Sequence, residues 1–225
     1  MNSILANKWT KVVVFLACLV PLGLIGWNVI QAIRSGNPGL YLTSNPTQFL
    51  EHATGDWILR FVAITLAITP LRKVLNLPNL IRFRRMLGLF AFFYACVHFS
   101  LYVGLDQVLD LHGIWADVMK RRYITVGFTG FVLMIPLAVT STAGMIRRLG
   151  GRRWSMLHRL IYLTAIAGVI HFYWLVKSDV HVPLEYAGIM AILLGWRLYV
   201  WYTGPGRRAP VKAVTPKQST TPAVD

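Results

Sequence analysis

The chain has 225 residues, 56% of them hydrophobic and 14% charged. That is too apolar for a water-soluble domain of this length and matches a membrane protein of several spans. A formal net charge of +15 raises nucleic acid as a partner, but the basic residues fall in short clusters between apolar runs, the pattern of cytoplasmic loops.

A polar start with Lys8 and Trp9 leads into a first apolar span, Lys11 to about Ile33, interrupted by Pro21 and Gly23. The run is too long for a signal-peptide core and no clear small-x-small cleavage site precedes polar sequence, so a retained anchor is expected. Arg34 to Thr54 reads as a loop containing Gly, Pro and Asn. The second span, Asp56 to about Leu71, carries Arg60 inside it and Pro70 at its end. A strongly basic segment, Arg72 to Arg85, precedes the third span, Met86 to Leu105, which is rich in Phe and Tyr and carries His98. Asp106 to Arg122 reads as a mixed loop. Within it Leu105, Val108, Leu109 and Trp115 favour a short amphipathic helix along the interface.

The fourth span is Tyr123 to about Thr140, with Pro136, and a second basic loop follows from Ser141 to Arg153. The fifth span, Trp154 to Lys177, reads as one long helix with His158 and His171 near its ends. A tight polar turn, Ser178 to Pro183, leads to the sixth span, Leu184 to Tyr202, with Arg197. The Pro-, Thr- and Lys-rich tail, 204–225, is expected to be disordered. The expected fold class is therefore all-α: one integral membrane six-helix bundle over 11–203.

Six spans place both termini on one side. Lys8, Lys11, the clusters Arg72–Arg85 and Arg147–Arg153 and the tail share that side, with Asp225 as its only acid. Every other acid lies in the opposite loops or at the span ends beside them. The excess of Lys and Arg predicts cytoplasmic termini; Lys120 to Arg122 is the one cluster against it.

In this topology His98 and His171 both lie roughly 10 Å from the outer ends of parallel helices, at about 1.5 Å per residue. Ionisable residues inside a bilayer are costly and point to function. Two imidazoles at one depth on facing helices suit the axial ligation of a heme iron; an interhelical hydrogen bond from each is the alternative. Neither a C-x-x-C pair nor C-x-x-C-H occurs, so such a heme is held non-covalently. Cys18 and Cys96 read as core residues rather than ligands. His158 lies 13 residues before His171, and steps of about 100° leave their rings roughly 140° apart on a straight helix. They share a face only if the helix bends, for instance near Gly168. His158 is then either a ligand of a second, unusual site or a polar residue at the cytoplasmic interface. Arg84 occupies the position opposite it. Arg60 either snorkels outward or pairs with a heme propionate, and Arg197 is expected to snorkel. His52, His112 and His181 read as solvated loop histidines. Phe92, Phe93, Tyr94, Phe99 and Tyr102 read as packing or lipid-facing aromatics that are also able to line a porphyrin.

The two histidine spans, the spacing of His158 and His171 and the run LAVTSTAGMIRRLGGRRWSMLHRLIY, Leu137 to Tyr162, resemble the ferric reductase-like transmembrane superfamily. Within it they resemble the heme-binding membrane subunits of bacterial periplasmic protein-methionine-sulfoxide reductases, over about residues 10–203. The resemblance implies heme b and FMN as cofactors and the bacterial inner membrane as location. It also implies electron transfer from the respiratory quinone pool, or from a cytoplasmic flavin reductase, to a periplasmic molybdopterin-dependent reductase that repairs oxidised methionines in proteins. By motif position His98 and His171 hold the iron, His158 falls on the inner fifth-span position, and Arg84 replaces the superfamily's inner third-span histidine. No G-x-G-x-x-G fingerprint follows the last span, so a quinol or another protein is expected as donor, and substrate reduction is expected of the partner subunit. The basic inner face offers a landing surface for an acidic protein or an anionic flavin phosphate. Two other readings remain at this point: a stand-alone ferric or quinone reductase, and a transporter or assembly factor without heme.

Overall fold

The computed structural model describes residues 5–176 and 179–203, so expectations for the tail lie outside the described residues. Among the described residues all regular structure is helical. The main elements are α1 (Lys8–Ser35), α2 (Gly39–Leu42), α3 (Pro46–Val74), α4 (Ile81–Leu101), α5 (Leu111–Lys120), α6 (Arg122–Val139), α7 (Ala143–Leu149), α8 (Gly151–Leu157), α9 (Leu160–Leu175) and α10 (His181–Thr203). Lys8–Ser35, Pro78–Asp106, Arg122–Val139 and Gly151–Leu175 are long and apolar enough to cross a membrane. The most extensive packing joins α3 to α4 and α6 to α9. The core between them centres on Val62, Leu66, Ala91, Tyr94 and Ala165.

Several boundaries differ from expectation, each for a local reason. The segment expected as loop up to Thr54 is already helical from Pro46. Asn45 caps α3 by accepting from the Gln48 amide at 3.2 Å, proline suits the first turn because its missing N–H has no helical partner there, and Leu50 and Thr54 are buried. His52 therefore lies on a helix. α4 starts at Ile81 rather than Met86, so Arg82, Arg84 and Arg85 are helical. A helix does form in the segment expected to hold an amphipathic one, α5, but of Leu105, Val108, Leu109 and Trp115 only Trp115 lies in it, Val108 and Leu109 having φ 47 and 64; His112 lies in its first turn after the Asp110 cap. The loop expected from Ser141 to Arg153 contains α7 and the start of α8, separated by Gly150 at φ 74. α10 starts at His181, capped by Asp179.

The long fifth helix is two helices. It breaks at His158–Arg159, between α8 and α9, and not near Gly168. Gly168 packs on α3 instead, where an added Cβ would stand 3.0 Å from Leu59 Cδ2.

Two prolines inside helices leave carbonyls without their usual partners, because proline has no N–H to offer the residue four before it. In α3, Pro70 frees the Leu66 carbonyl, which accepts from the Arg197 guanidinium on α10 at 2.5 Å. Arg197 also donates to Leu193 O at 2.8 Å and lies over the Tyr162 ring; it does not snorkel, because that carbonyl in an apolar core holds it. In α1, Pro21 frees the Ala17 carbonyl, and one residue on the Tyr94 hydroxyl stands between the helical partners Cys18 and Leu22: it donates to Cys18 O and accepts from the Leu22 amide, both at 3.0 Å. The fully buried Tyr94 thereby fastens α1 to α4.

Candidate cofactor site

α4 and α9 bring His98 and His171 together, with ring centroids 6.4 Å apart and planes at 85°. Each ring is held from a neighbouring helix. His98 Nδ1 lies 3.0 Å from the Glu51 carbonyl on α3 and 3.2 Å from Thr54 Oγ1. The Thr54 hydroxyl donates to Leu50 O at 2.7 Å. His171 Nδ1 lies 2.7 Å from the Tyr123 carbonyl on α6. A carbonyl only accepts, so both Nδ1 atoms carry the proton and both Nε2 atoms keep a lone pair. This is the outer hydrogen bond that fixes a metal-binding imidazole in tautomer and direction. Among the described residues neither Nε2 has a hydrogen-bond partner.

Two glycines make room for the rings. A Cβ on Gly127 would lie 2.5 Å from His171 Nδ1, and one on Gly55 would lie 3.3 Å from His98 Cε1. Sequence reasoning missed both. The only signal was a small residue in an apolar span, GDW in one case and VGF in the other.

Between the imidazoles is a cavity of about 280 Å³. Its apolar wall includes Val62, Phe99, Phe128, Phe131 and Leu175. Its rim includes Glu51, His52, Asp106 and Arg121. Thr164 lines it with a buried hydroxyl that has no partner, and Glu51 Oε1 is likewise buried and unpartnered. Asp117 accepts from Gln107 Nε2 at 2.9 Å and Tyr102 OH at 3.3 Å, and pairs with Arg121 at 3.1 Å. Arg121 is thus steadied at the mouth, and it is the only Lys or Arg lining this cavity among the described residues.

This site fits a heme. Two neutral nitrogen donors face one cavity, and opposite bonds of about 2 Å to one metal ion need rings at about the observed separation. Among the described residues no group of three or more His, Cys, Asp or Glu could hold a metal ion. A metal on this pair must bring its remaining ligands with it, as a porphyrin does.

The other expected residues are placed elsewhere. Arg60 does not line the cavity: it pairs with Asp56, donates to Tyr186 OH at 3.2 Å and lies over the Trp57 ring. Tyr186 in turn donates to Asp56 Oδ1 at 2.7 Å, so the three tie α10 to α3. His158 ends α8, with Nδ1 3.1 Å from the Trp154 carbonyl and its ring stacked on Trp154 at 3.8 Å. It lines a second cavity of about 220 Å³ together with Arg84, and no second imidazole lines that cavity among the described residues. His52 is at the rim of the first cavity, edge-on to Phe172, and His181 pairs with Glu185 at 3.4 Å. Cys18 is buried, Cys96 half-buried, and both are free.

Residues 54–169 match the family model described as ferric reductase like transmembrane component. The chain is 49% identical over 214 residues to the protein-methionine-sulfoxide reductase heme-binding subunit MsrQ of Xanthomonas oryzae, covering 93% of this chain and 94% of that protein. Identity to the protein of the same name from Xanthomonas euvesicatoria is also 49%, with the same coverage. The Herminiimonas arsenicoxydans protein of that name is 46% identical over 191 residues, 84% of each chain.

Proposed function

The chain belongs to the ferric reductase-like transmembrane family and, within it, to the family of MsrQ-type heme-binding subunits; from that premise we propose that it is the membrane b-type cytochrome subunit of a methionine-sulfoxide reductase. It draws electrons from the quinone pool, or from a cytoplasmic flavin reductase, and passes them to a periplasmic molybdopterin-dependent catalytic subunit that repairs oxidised proteins. It sits in the bacterial inner membrane with six spans and cytoplasmic termini, a reading supported by the distribution of Lys and Arg. FMN belongs to the same proposal, its phosphate met by arginines of the basic inner face.

The observation that carries this reading is the His98–His171 pair, each Nδ1 fixed by a carbonyl from another helix. Bound there, heme supplies a one-electron carrier. The chain's residues do the rest. Glu51 O and Tyr123 O hold both rings in one tautomer before any ligand arrives, so little order is lost on binding. Gly55 and Gly127 let the backbones close behind the imidazoles. The aromatic and aliphatic walls keep water from the metal. Arg121, rather than Arg60, offers positive charge at the rim for a carboxylate-bearing edge.

The test is a dithionite-reduced minus oxidised visible spectrum of detergent-purified protein. Wild type shows a b-type signal, and His98→Ala and His171→Ala each abolish it. A well-folded wild type without the signal, or a signal surviving both substitutions, overturns the assignment.

A further inference from the structure

Beyond its last α-helical turn, α4 leads into an apolar surface that the chain leaves uncovered. After Leu101 the helix widens into a single π-turn, Tyr102–Asp106, and the Gln107 amide bonds the Tyr102 carbonyl at 2.9 Å. Val108 and Leu109 then stand at φ 47 and 64, a region that side chains disfavour, β-branched ones most of all. Such backbone persists only where its surroundings over-determine it. Here the Leu109 amide donates to Val103 O and the Asp110 amide to Gln107 O, both at 2.8 Å. The Gln107 side chain donates to Asp117 on α5 at 2.9 Å.

The held loop turns apolar side chains outward. Val108, Leu109, Leu111 and Trp115 are 76%, 71%, 77% and 65% exposed, and apolar surface left open in this way marks an interaction site. Two observations favour a water-borne protein over lipid as its cover. The first is level. In the topology proposed above, about 20 residues cross the hydrocarbon; counted from Met86, just past Arg84 and Arg85, they end near Leu105, so Val108 to Leu111 lie beyond it. The second is charge. Asp106 and Asp110 are exposed among these apolar residues, and neither forms an ion pair among the described residues. A carboxylate without a counter-ion is costly in hydrocarbon, whereas Lys or Arg on a protein partner would complement it.

The surface adjoins the cavity between His98 and His171. Tyr102 and Asp106, at the start of the loop, and Val118 on α5 line that cavity. Asp117 ties loop to mouth, because it holds Gln107 on one side and pairs with Arg121 of the rim on the other. A protein seated on Val108 and Leu109 therefore lies beside the opening of the proposed heme site.

We propose that Val108, Leu109, Leu111 and Trp115, with Asp106 and Asp110 among them, form the docking surface for the water-soluble catalytic subunit. The matching face of that subunit is apolar at its centre and carries Lys and Arg at its rim. The apolar anchors supply affinity, and the two acids set approach and register. The loop is already held in one shape, so little order is lost on docking. This inference rests on the partner reading above.

Two measurements test it on the full-length purified chain in lipid nanodiscs. In the first, binding of the purified molybdopterin-dependent catalytic subunit is followed by biolayer interferometry. Leu109→Asp and Val108→Gly are each expected to weaken it at least tenfold while leaving the dithionite-reduced spectrum intact, and Asp106→Lys is expected to weaken it as well. Glycine is at ease at φ 47, so Val108→Gly should unfold no earlier than wild type, and its lost binding is then not lost folding. In the second, Val108→Cys, in a chain that also carries Cys18→Ala and Cys96→Ala, is labelled with a fluorophore. The catalytic subunit is expected to shield that label from iodide. Quenching by bromine on the lipid acyl chains instead gives the surface to lipid, and shielding that rises with the number of chains per disc gives it to a second copy; either overturns the proposal. Binding that neither Leu109→Asp nor Val108→Gly weakens, or that Asp106→Lys tightens, overturns this surface and leaves the partner reading intact. A wild type that does not bind the subunit at all overturns the partner reading and this surface with it.

Discussion

His171 and His158 stand on one stretch of sequence and are held differently, since only His158 has its Nδ1 bonded by a carbonyl of its own helix. The Nδ1 of His171 is bonded by a carbonyl of α6, and that of His98 by a carbonyl of α3. His158 Nδ1 is bonded by the carbonyl of Trp154 in its own helix, four residues back, and its ring also meets the Leu137 carbonyl and Ser141 Oγ at the end of α6. A ring held from another helix has its direction set by tertiary packing, so it is aimed before a ligand arrives. A ring held at its own helix end takes its direction from local structure, and the Trp154 carbonyl that holds His158 already accepts that residue's amide at 3.0 Å. Arg197 belongs with the first class, bridging α10 to the carbonyl that Pro70 frees in α3.

The comparison is tested most severely at Gly127. A Cβ there would stand 2.5 Å from His171 Nδ1 and 2.9 Å from Cε1, so in Gly127→Ala the ring must leave the Tyr123 carbonyl. Losing such an outer contact typically costs about 10–100-fold in metal affinity. The reduced-minus-oxidised signal per protein is expected to fall at least tenfold. Gly144→Ala, with nothing within 4 Å, serves as the control. Near-normal heme content in Gly127→Ala would show that the cross-helix anchor does not matter.

Gly55→Ala is the milder version. Its Cβ would stand 3.3 Å from His98 Cε1, a conflict that a few tenths of an ångström relieves. Heme content is expected to drop by less than about tenfold, with a shifted band where the axial ring has tilted. An effect as large as that of Gly127→Ala would mean that the two imidazoles are equally confined, contrary to their clearances.

Arg197→Met separates anchoring from ligation. It leaves the Leu66 carbonyl beside Pro70 without its donor, at a cost of about 1–2 kcal/mol. Thermal unfolding in detergent should begin several degrees lower, while the reduced spectrum keeps its band position. Loss of the band together with the stability would tie Arg197 to the cofactor site.

The sequence carried the coarse plan because span length and histidine spacing are written in it directly. Apolar runs locate the long helices, and counting back from the C-terminal ends of the two histidine spans puts His98 and His171 at one level. What anchors them was hidden, since backbone carbonyls of Glu51 and Tyr123 carry no residue-type signature. Arg60 was read from charge and depth alone, and nothing in those terms reveals Tyr186, more than a hundred residues away, as its partner with Asp56. The break at His158–Arg159 was hidden as well, because WSMLHRLIY has neither proline nor glycine to mark a helix end. Tyr94 looked like one more aromatic; its part in α1 follows only from the approach of that helix around Pro21.

The smallest expected effect falls at His158, and it cuts most cleanly between the two kinds of anchoring. His158→Ala removes a ring stacked on Trp154 and bonded within its own helix end, and no second imidazole faces it among the described residues. The α8–α9 break already exists in the backbone, so alanine fits there and unfolding should shift little. The dithionite-reduced band should match wild type in position and amplitude, because the Nε2 atoms of His98 and His171, the proposed donors, are untouched. A band that shifts or halves would make His158 an iron ligand after all. That would require α8 to swing its ring out of the Trp154 stack and around toward His98, and the own-helix class would then contain no member that is merely structural.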